Sequence, residues 1–367
     1  MKRCIPGLPG LGPELLAPVR DLEAIPPWLP TGRTLLVTRA SNALYLGCRA
    51  LRLKRGDRIL TPAFSCWTVN QPLEAAGAES LFFNVTADFR IDWDHVRRVM
   101  NRRVKAMLWY HFLGVSEGFD EVIPFCREHG LYLIEDCAHA LFSQYRGRPV
   151  GCTGDFAVFS MRKSIPALMA GALVVNNPKL RLPRLPAFRP PGVERQRFLL
   201  QSECNFHRLR AQCLDTARPV ARVDFRFFFK EVKRLYSDDR RLYAIDEVSR
   251  LVMHNADPAA VRAARQRHFR TYLRELKEVA LFKRMTPGAS PIGFPLLLRD
   301  PDAFRARLER EGIETLGYWP AWALPKGVAG RFPEARKLAD AQLSMPCHQD
   351  LGAEEVKYIC AAVKRLL

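Results

Sequence analysis

From residue 34 onward the chain alternates two kinds of segment. The first are short runs with little or no polar interruption: "TLLVT" (34–38), "GDRILTPAF" (56–64), "ESLFFNV" (79–85), "VKAMLWYH" (104–111), "LYLIEDC" (131–137), "FAVFS" (156–160) and "GALVVNN" (171–177). These read as strands. Between them lie amphipathic stretches with the period of a helix, at 41–53, 68–78, 92–101 and 118–130. Strands that are apolar throughout are buried on both faces. The pattern therefore predicts an α/β fold with a mainly parallel, seven-stranded sheet covered on both sides. In such a sheet the ligand site lies just beyond the carboxyl ends of the strands.

After residue 180 the texture changes. Residues 181–285 read as mostly helical, with a long polar helix over 257–279 that opens on the start signal Asp257-Pro258. A strand at 290–298 and helices at 300–313 and 353–367 predict a smaller α+β unit. The expected organisation is an irregular N-terminal arm (1–30), a large domain (31–250) and a small C-terminal domain (251–367). No apolar run is long enough to span a membrane, and "MKRCIPGLPGLGPELL" lacks the apolar core of a leader. The ten cysteines form no CxxC pair and no zinc-type cluster. A cytoplasmic protein with reduced thiols and no metal is the expectation.

The net charge of +19 is uneven: residues 181–241 hold 15 Lys/Arg against 7 Asp/Glu. That segment suits an anionic partner, or is simply a solvated basic surface. It carries no recognisable RNA-binding or helix-turn-helix signature, so no nucleic-acid partner is expected.

Four strand ends carry candidate chemistry. Ala40, Ser41 and Asn42 open a helix directly after a strand, where free N–H groups and the helix dipole suit a phosphate; a plain serine cap gives the same pattern. Phe64 and Trp67 are aromatic rings for the core or for stacking on a flat ligand. Asp136 and His139 follow the 131–137 strand; a carboxylate at that rim needs a cationic partner, either a protonated heterocycle or an arginine. Ser160 and Lys163 stand between two buried strands, where a desolvated amine has a lowered pKa and can form a Schiff base. Ser-x-x-Lys also occurs in serine hydrolases of the β-lactamase class, but their companion SDN and KTG motifs are missing here.

Taken in this order, a phosphate cradle, an aromatic ring, an Asp and a Lys are the parts of a pyridoxal phosphate (PLP) site. The stretches "GDRILTPAFSCWTVNQPLEAAGAESLFFNV", "YHFLG", "CREHGLYLIEDCAHA", "GRPVGCTGDFAVFSMRK" and "AGALVVNN" resemble the DegT/StrS-type sugar aminotransferases, which are fold-type-I PLP enzymes. The resemblance runs from about residue 34 to 177 and returns more faintly toward the C-terminus. It implies that Lys163 bonds the cofactor and moves the proton, and that Asp136 pairs with the ring nitrogen. His139 then stands near the ring's phenolic oxygen, where the family usually has Gln. Ser160, Ser41 and the backbone of Ala40 and Asn42 bind the phosphate, and Phe64 or Trp67 stacks on the ring. Asn205 matches a motif that reaches a partner subunit's phosphate, so a homodimer is implied. The implied reaction moves an amino group from glutamate to a keto sugar on a nucleotide diphosphate. Another PLP reaction on this fold, or a non-catalytic binding protein, are the alternatives. The departures are a three-residue step from Ser160 to Lys163 where five is usual, Ala40 in place of Gly, and Met169 in place of Asp.

Overall fold

Residues 5–30, 33–87, 89–167, 170–181, 185 and 245–367 are described by the structure, a computed structural model. The central strands are β1 (Arg33–Val37), β2 (Arg58–Pro62), β3 (Glu79–Phe83), β4 (Val104–Tyr110) and β5 (Tyr132–Asp136). A small hairpin, β6 (Gln144–Tyr145) and β7 (Arg148–Pro149), follows, and then β8 (Phe156–Ser160) and β9 (Gly171–Val175). Seven of them form one sheet in the order β1-β9-β8-β5-β4-β2-β3. β8, β5, β4, β2 and β3 pair in parallel, whereas β9 runs antiparallel to both β8 and β1. The ten residues between β8 and β9 are too few for a crossover helix, so the chain turns straight back. All residues of β8 and β9 are buried.

Helices α1 (Ala40–Ala50), α2 (Trp67–Ala75), α3 (Trp93–Val99) and α4 (Phe119–Glu128) fill the connections. Each expected strand and helix of this half forms, with its ends within a few residues of the sequence reading.

The C-terminal part holds α5 (Glu247–Asn255), α6 (Pro258–Leu276), β10 (Gly293–Leu297), α7 (Pro301–Arg310), α8 (Val328–Arg331), α9 (Pro333–Ala341), β11 (Gln342–Pro346) and α10 (Ala353–Leu366). β10 and β11 form an antiparallel pair, and α6 packs on α10 and β10. The start signal of α6 is real: Asp257 accepts hydrogen bonds from the N–H groups of Ala259 and Ala260, and Pro258 takes the first helical position. The helix is not polar all round, however. Val261, Ala264, Arg265, His268, Phe269, Tyr272 and Leu276 make a buried stripe at helical spacing. The N-terminal stretch lies along this part, with Gly7 N–H donating to Glu314 and Gly10 N–H to Asp350. Among the described residues no helix is long and apolar enough to cross a membrane.

Candidate active site

β9 brings two site elements together. Its first residue, Gly171, is register partner to Val37 of β1 on one side and to Ser160 of β8 on the other. Ser160 and the start of α1 therefore share one edge of the sheet. A Cβ on Gly171 would lie 2.5 Å from the Arg39 carbonyl carbon and 2.6 Å from Ala40 N, so only glycine admits this approach. Arg39 precedes α1 in extended conformation, and its own side chain makes no capping hydrogen bond. The first turn, Ala40-Ser41-Asn42, points its backbone N–H groups and the positive end of the helix dipole toward this edge. Ser160 is buried beside it.

Asp136 ends β5 and Lys163 ends the single 3₁₀ turn Met161–Lys163 that follows β8. Burial pushes the Lys163 ammonium down to about 8, and the Asp136 carboxylate pulls in the opposite direction. Burial raises the Asp136 carboxyl above its usual range, while Lys163 and the Ala138 N–H, 2.9 Å from Oδ1, hold it back. The two groups are electrostatically coupled, each holding back the shift that burial imposes on the other.

His139 is buried, and its pKa is driven well below the usual value, first by burial and then by Lys163. Nδ1 accepts the Leu113 N–H at 3.3 Å. In the neutral ring the proton then sits on Nε2, and among the described residues Nε2 has no partner. This buried, orphaned donor is suited to a ligand oxygen.

Phe64 is fully buried, with its ring packed edge-on against Phe89, Phe112 and Trp319. Trp67 opens α2 and is half-buried. Asn205 and Met169 lie outside the described residues.

Glu135, the neighbour of Asp136, has a different task. Its wholly buried carboxylate accepts from His111 Nε2 (3.1 Å), Gly151 N (2.9 Å), Thr153 N (2.8 Å) and Gly154 N. Burial works to raise its pKa, but His111 and the backbone donors outweigh it and hold it below the usual value. His111, Glu135 and Cys137 gather three potential metal-ligand atoms. The four donors already fill the lone-pair sites of Glu135, so this cluster is a strut for the 151–154 loop, not a metal cage. Glu135→Ala strands those donors and is expected to lower stability by about 3–5 kcal/mol, read from urea unfolding.

Sequence reasoning passed over His111 and Trp319. His111 stood in the "YHFLG" motif without a role. Trp319 holds a left-handed backbone (φ 58) while its ring packs on Phe64, Tyr110, Phe112 and His139, which links the C-terminal part to the site. Its signal was an aromatic pair in a turn, "GYWP", which composition does not separate from a surface loop.

A mainly parallel sheet thus places a helix start, an Asp and a half-buried Lys with a lowered pKa at adjoining strand ends. Residues 27–207 and 255–364 match the DegT/DnrJ/EryC1/StrS aminotransferase family, and the chain belongs to it. It is an aminotransferase. It is 26% identical over 348 residues to the UDP-4-amino-4,6-dideoxy-N-acetyl-beta-L-altrosamine transaminase of Campylobacter jejuni, covering 92% of this chain and 86% of that one. It is 25% identical to a pleiotropic regulatory protein of Geobacillus stearothermophilus, covering 87% of this chain and 81% of that one. The fold is similar to that of Spr1654 from Streptococcus pneumoniae, solved in a PLP form, with a TM-score of 0.65 and 17% identity over 99% of this chain and 94% of that one.

Proposed function

We propose that the enzyme transfers an amino group from glutamate to a keto sugar carried on a nucleoside diphosphate, with PLP held at Lys163. The observation that carries this reading is the coupled Lys163–Asp136 pair at strand ends beside the start of α1, where Gly171 brings that helix start close to Ser160. The residues present fit the cofactor. The first turn of α1 and Ser160 would take its phosphate, Asp136 its ring nitrogen and Lys163 its aldehyde carbon. The orphaned Nε2–H of His139 would take its phenolic oxygen. Trp67 at the start of α2, or Phe64 behind it, would bound the ring.

When bound, PLP supplies an electron-accepting ring that stabilises negative charge on the donor's α-carbon. The protein's share is proton management and orientation. With a pKa of about 8, roughly one Lys163 amine in ten is uncharged at pH 7, against about one in three thousand for an ordinary lysine. Nζ is therefore available first as a nucleophile and then as the base that moves a proton. Asp136 would carry the negative charge that keeps the ring nitrogen of the bound cofactor protonated. The relatives' names supply the sugar-nucleotide class, and the basic charge balance suits a diphosphate. On the same reading the enzyme acts in the cytoplasm as a homodimer.

The test is turnover: glutamate with a panel of nucleotide-linked keto sugars should yield 2-oxoglutarate and an amino sugar. Release of neither from any pair overturns the substrate assignment. Gly171→Ala tests the phosphate end. It forces the start of α1 away, with an expected loss of about 1–3 kcal/mol in stability. A several-fold weaker retention of PLP on dialysis should accompany it.

A further inference from the structure

Arg265, in the middle of α6, is wholly buried. Burial of a guanidinium is costly and normally answered by a carboxylate. Among the described residues no carboxylate hydrogen-bonds to Arg265; the Asp350 charge acts on it from nearby, but burial outweighs it and lowers the Arg265 pKa to about 10. Its donors go elsewhere. Nη2 donates to the Ser164 carbonyl at 2.6 Å and to Gln349 Oε1 at 2.9 Å, and Nε donates to Gln349 Oε1 at 3.2 Å. Nη1 lies 3.5 Å from Ser164 Oγ. Gln349, in the loop after β11, sends its own Nε2 to the same Ser164 carbonyl at 3.3 Å. Ser164 directly follows Lys163.

The turn that carries Lys163 has little strength of its own. It is one 3₁₀ turn, held internally by the N–H groups of Ser164 and Ile165 donating to Met161 O. A planar fork and an amide grip the carbonyl just beyond it from a separate part of the fold. We infer that Arg265 and Gln349 form a latch that positions Lys163 by fixing the Ser164 carbonyl, so that the C-terminal part sets the aim of the lysine. This rests on Lys163 being the cofactor-bearing residue. Arg265 is a positioning residue, because none of its contacts reaches the site itself. A lysine cannot replace it: the ammonium is a point donor, whereas two acceptors must be held in one plane.

The test uses the full-length chain with Arg265→Met, Arg265→Lys and Gln349→Leu. In the cofactor-free protein, hydrogen exchange of a peptide spanning 160–166 should speed up at least several-fold in Arg265→Met, while the α6 peptide keeps its protection. In the PLP-loaded enzyme, kcat should fall about 10²-fold with KM for both substrates little changed, the pattern of a misplaced reacting group. Arg265→Lys should fail to restore kcat. Gln349→Leu, which keeps the guanidinium, should show the same signs more weakly, and it serves if Arg265→Met does not fold. Unchanged exchange at 160–166, or deprotection confined to α6, overturns the latch, as does full rescue by Arg265→Lys. A Lys163→Ala control separates the two readings: if it still shows a lysine-linked visible band, the assignment of Lys163 fails whatever Arg265 does.

Discussion

Lys163→Ala should abolish transamination, with a loss on the order of 10⁴-fold or more, because one substitution removes both the nucleophile and the proton carrier. The protein should still fold. Lys163 carries a desolvation cost, seen in its depressed pKa, and alanine removes that cost. The linkage follows from the sign. Between about 8 and the ordinary lysine value the unfolded chain holds a proton that the folded chain has released, so wild-type stability rises with pH across that window. Lys163→Ala should flatten this rise. In the wild type the rate of PLP capture should climb through a midpoint near pH 8 and then level off, as monitored by the visible band. A midpoint above 10 would mean that Lys163 is an ordinary exposed amine.

Asp136→Asn should cost roughly 10²–10³-fold in kcat, the scale of losing one preorganised electrostatic partner. A second effect separates it from a merely damaged site. Asp136 raises the Lys163 pKa against the pull of burial, so neutralising it should move the midpoint for PLP capture to lower pH. A shift to higher pH, or none, would contradict the pairing. Glu135, one residue earlier, should behave differently, with its loss registering in stability first. Adjacent carboxylates on one strand alternate sides of the sheet, and here one side is the ligand rim and the other the 151–154 loop.

The sheet was legible because its strands are apolar throughout and its helices are short and amphipathic. The reversal of β9 was legible in principle from the ten-residue link, but apolar runs carry no direction. β11 was missed for a physical reason. Gln342 and Ser344 are buried in it, and the Gln342 amide donates to the Ser344 hydroxyl at 2.8 Å, so a core strand looks polar. That Asp136, Ser160, Lys163 and the start of α1 stand at strand ends was legible because each lies next to its strand in the chain. The orphaned Nε2 of His139, the ring of Trp319 and the latch at Arg265 depend on contacts between residues far apart in sequence. Arg265 in particular stands in a helix crowded with arginines, and only its place on the buried stripe sets it apart.

The most direct measurement is hydride trapping. The purified enzyme is loaded with PLP, reduced with borohydride, digested and mapped by mass spectrometry. A pyridoxyl-phosphate mass on Lys163 and on no other lysine is the predicted result. A label on a different lysine, or no label in protein that folds and retains the cofactor, would contradict the assignment.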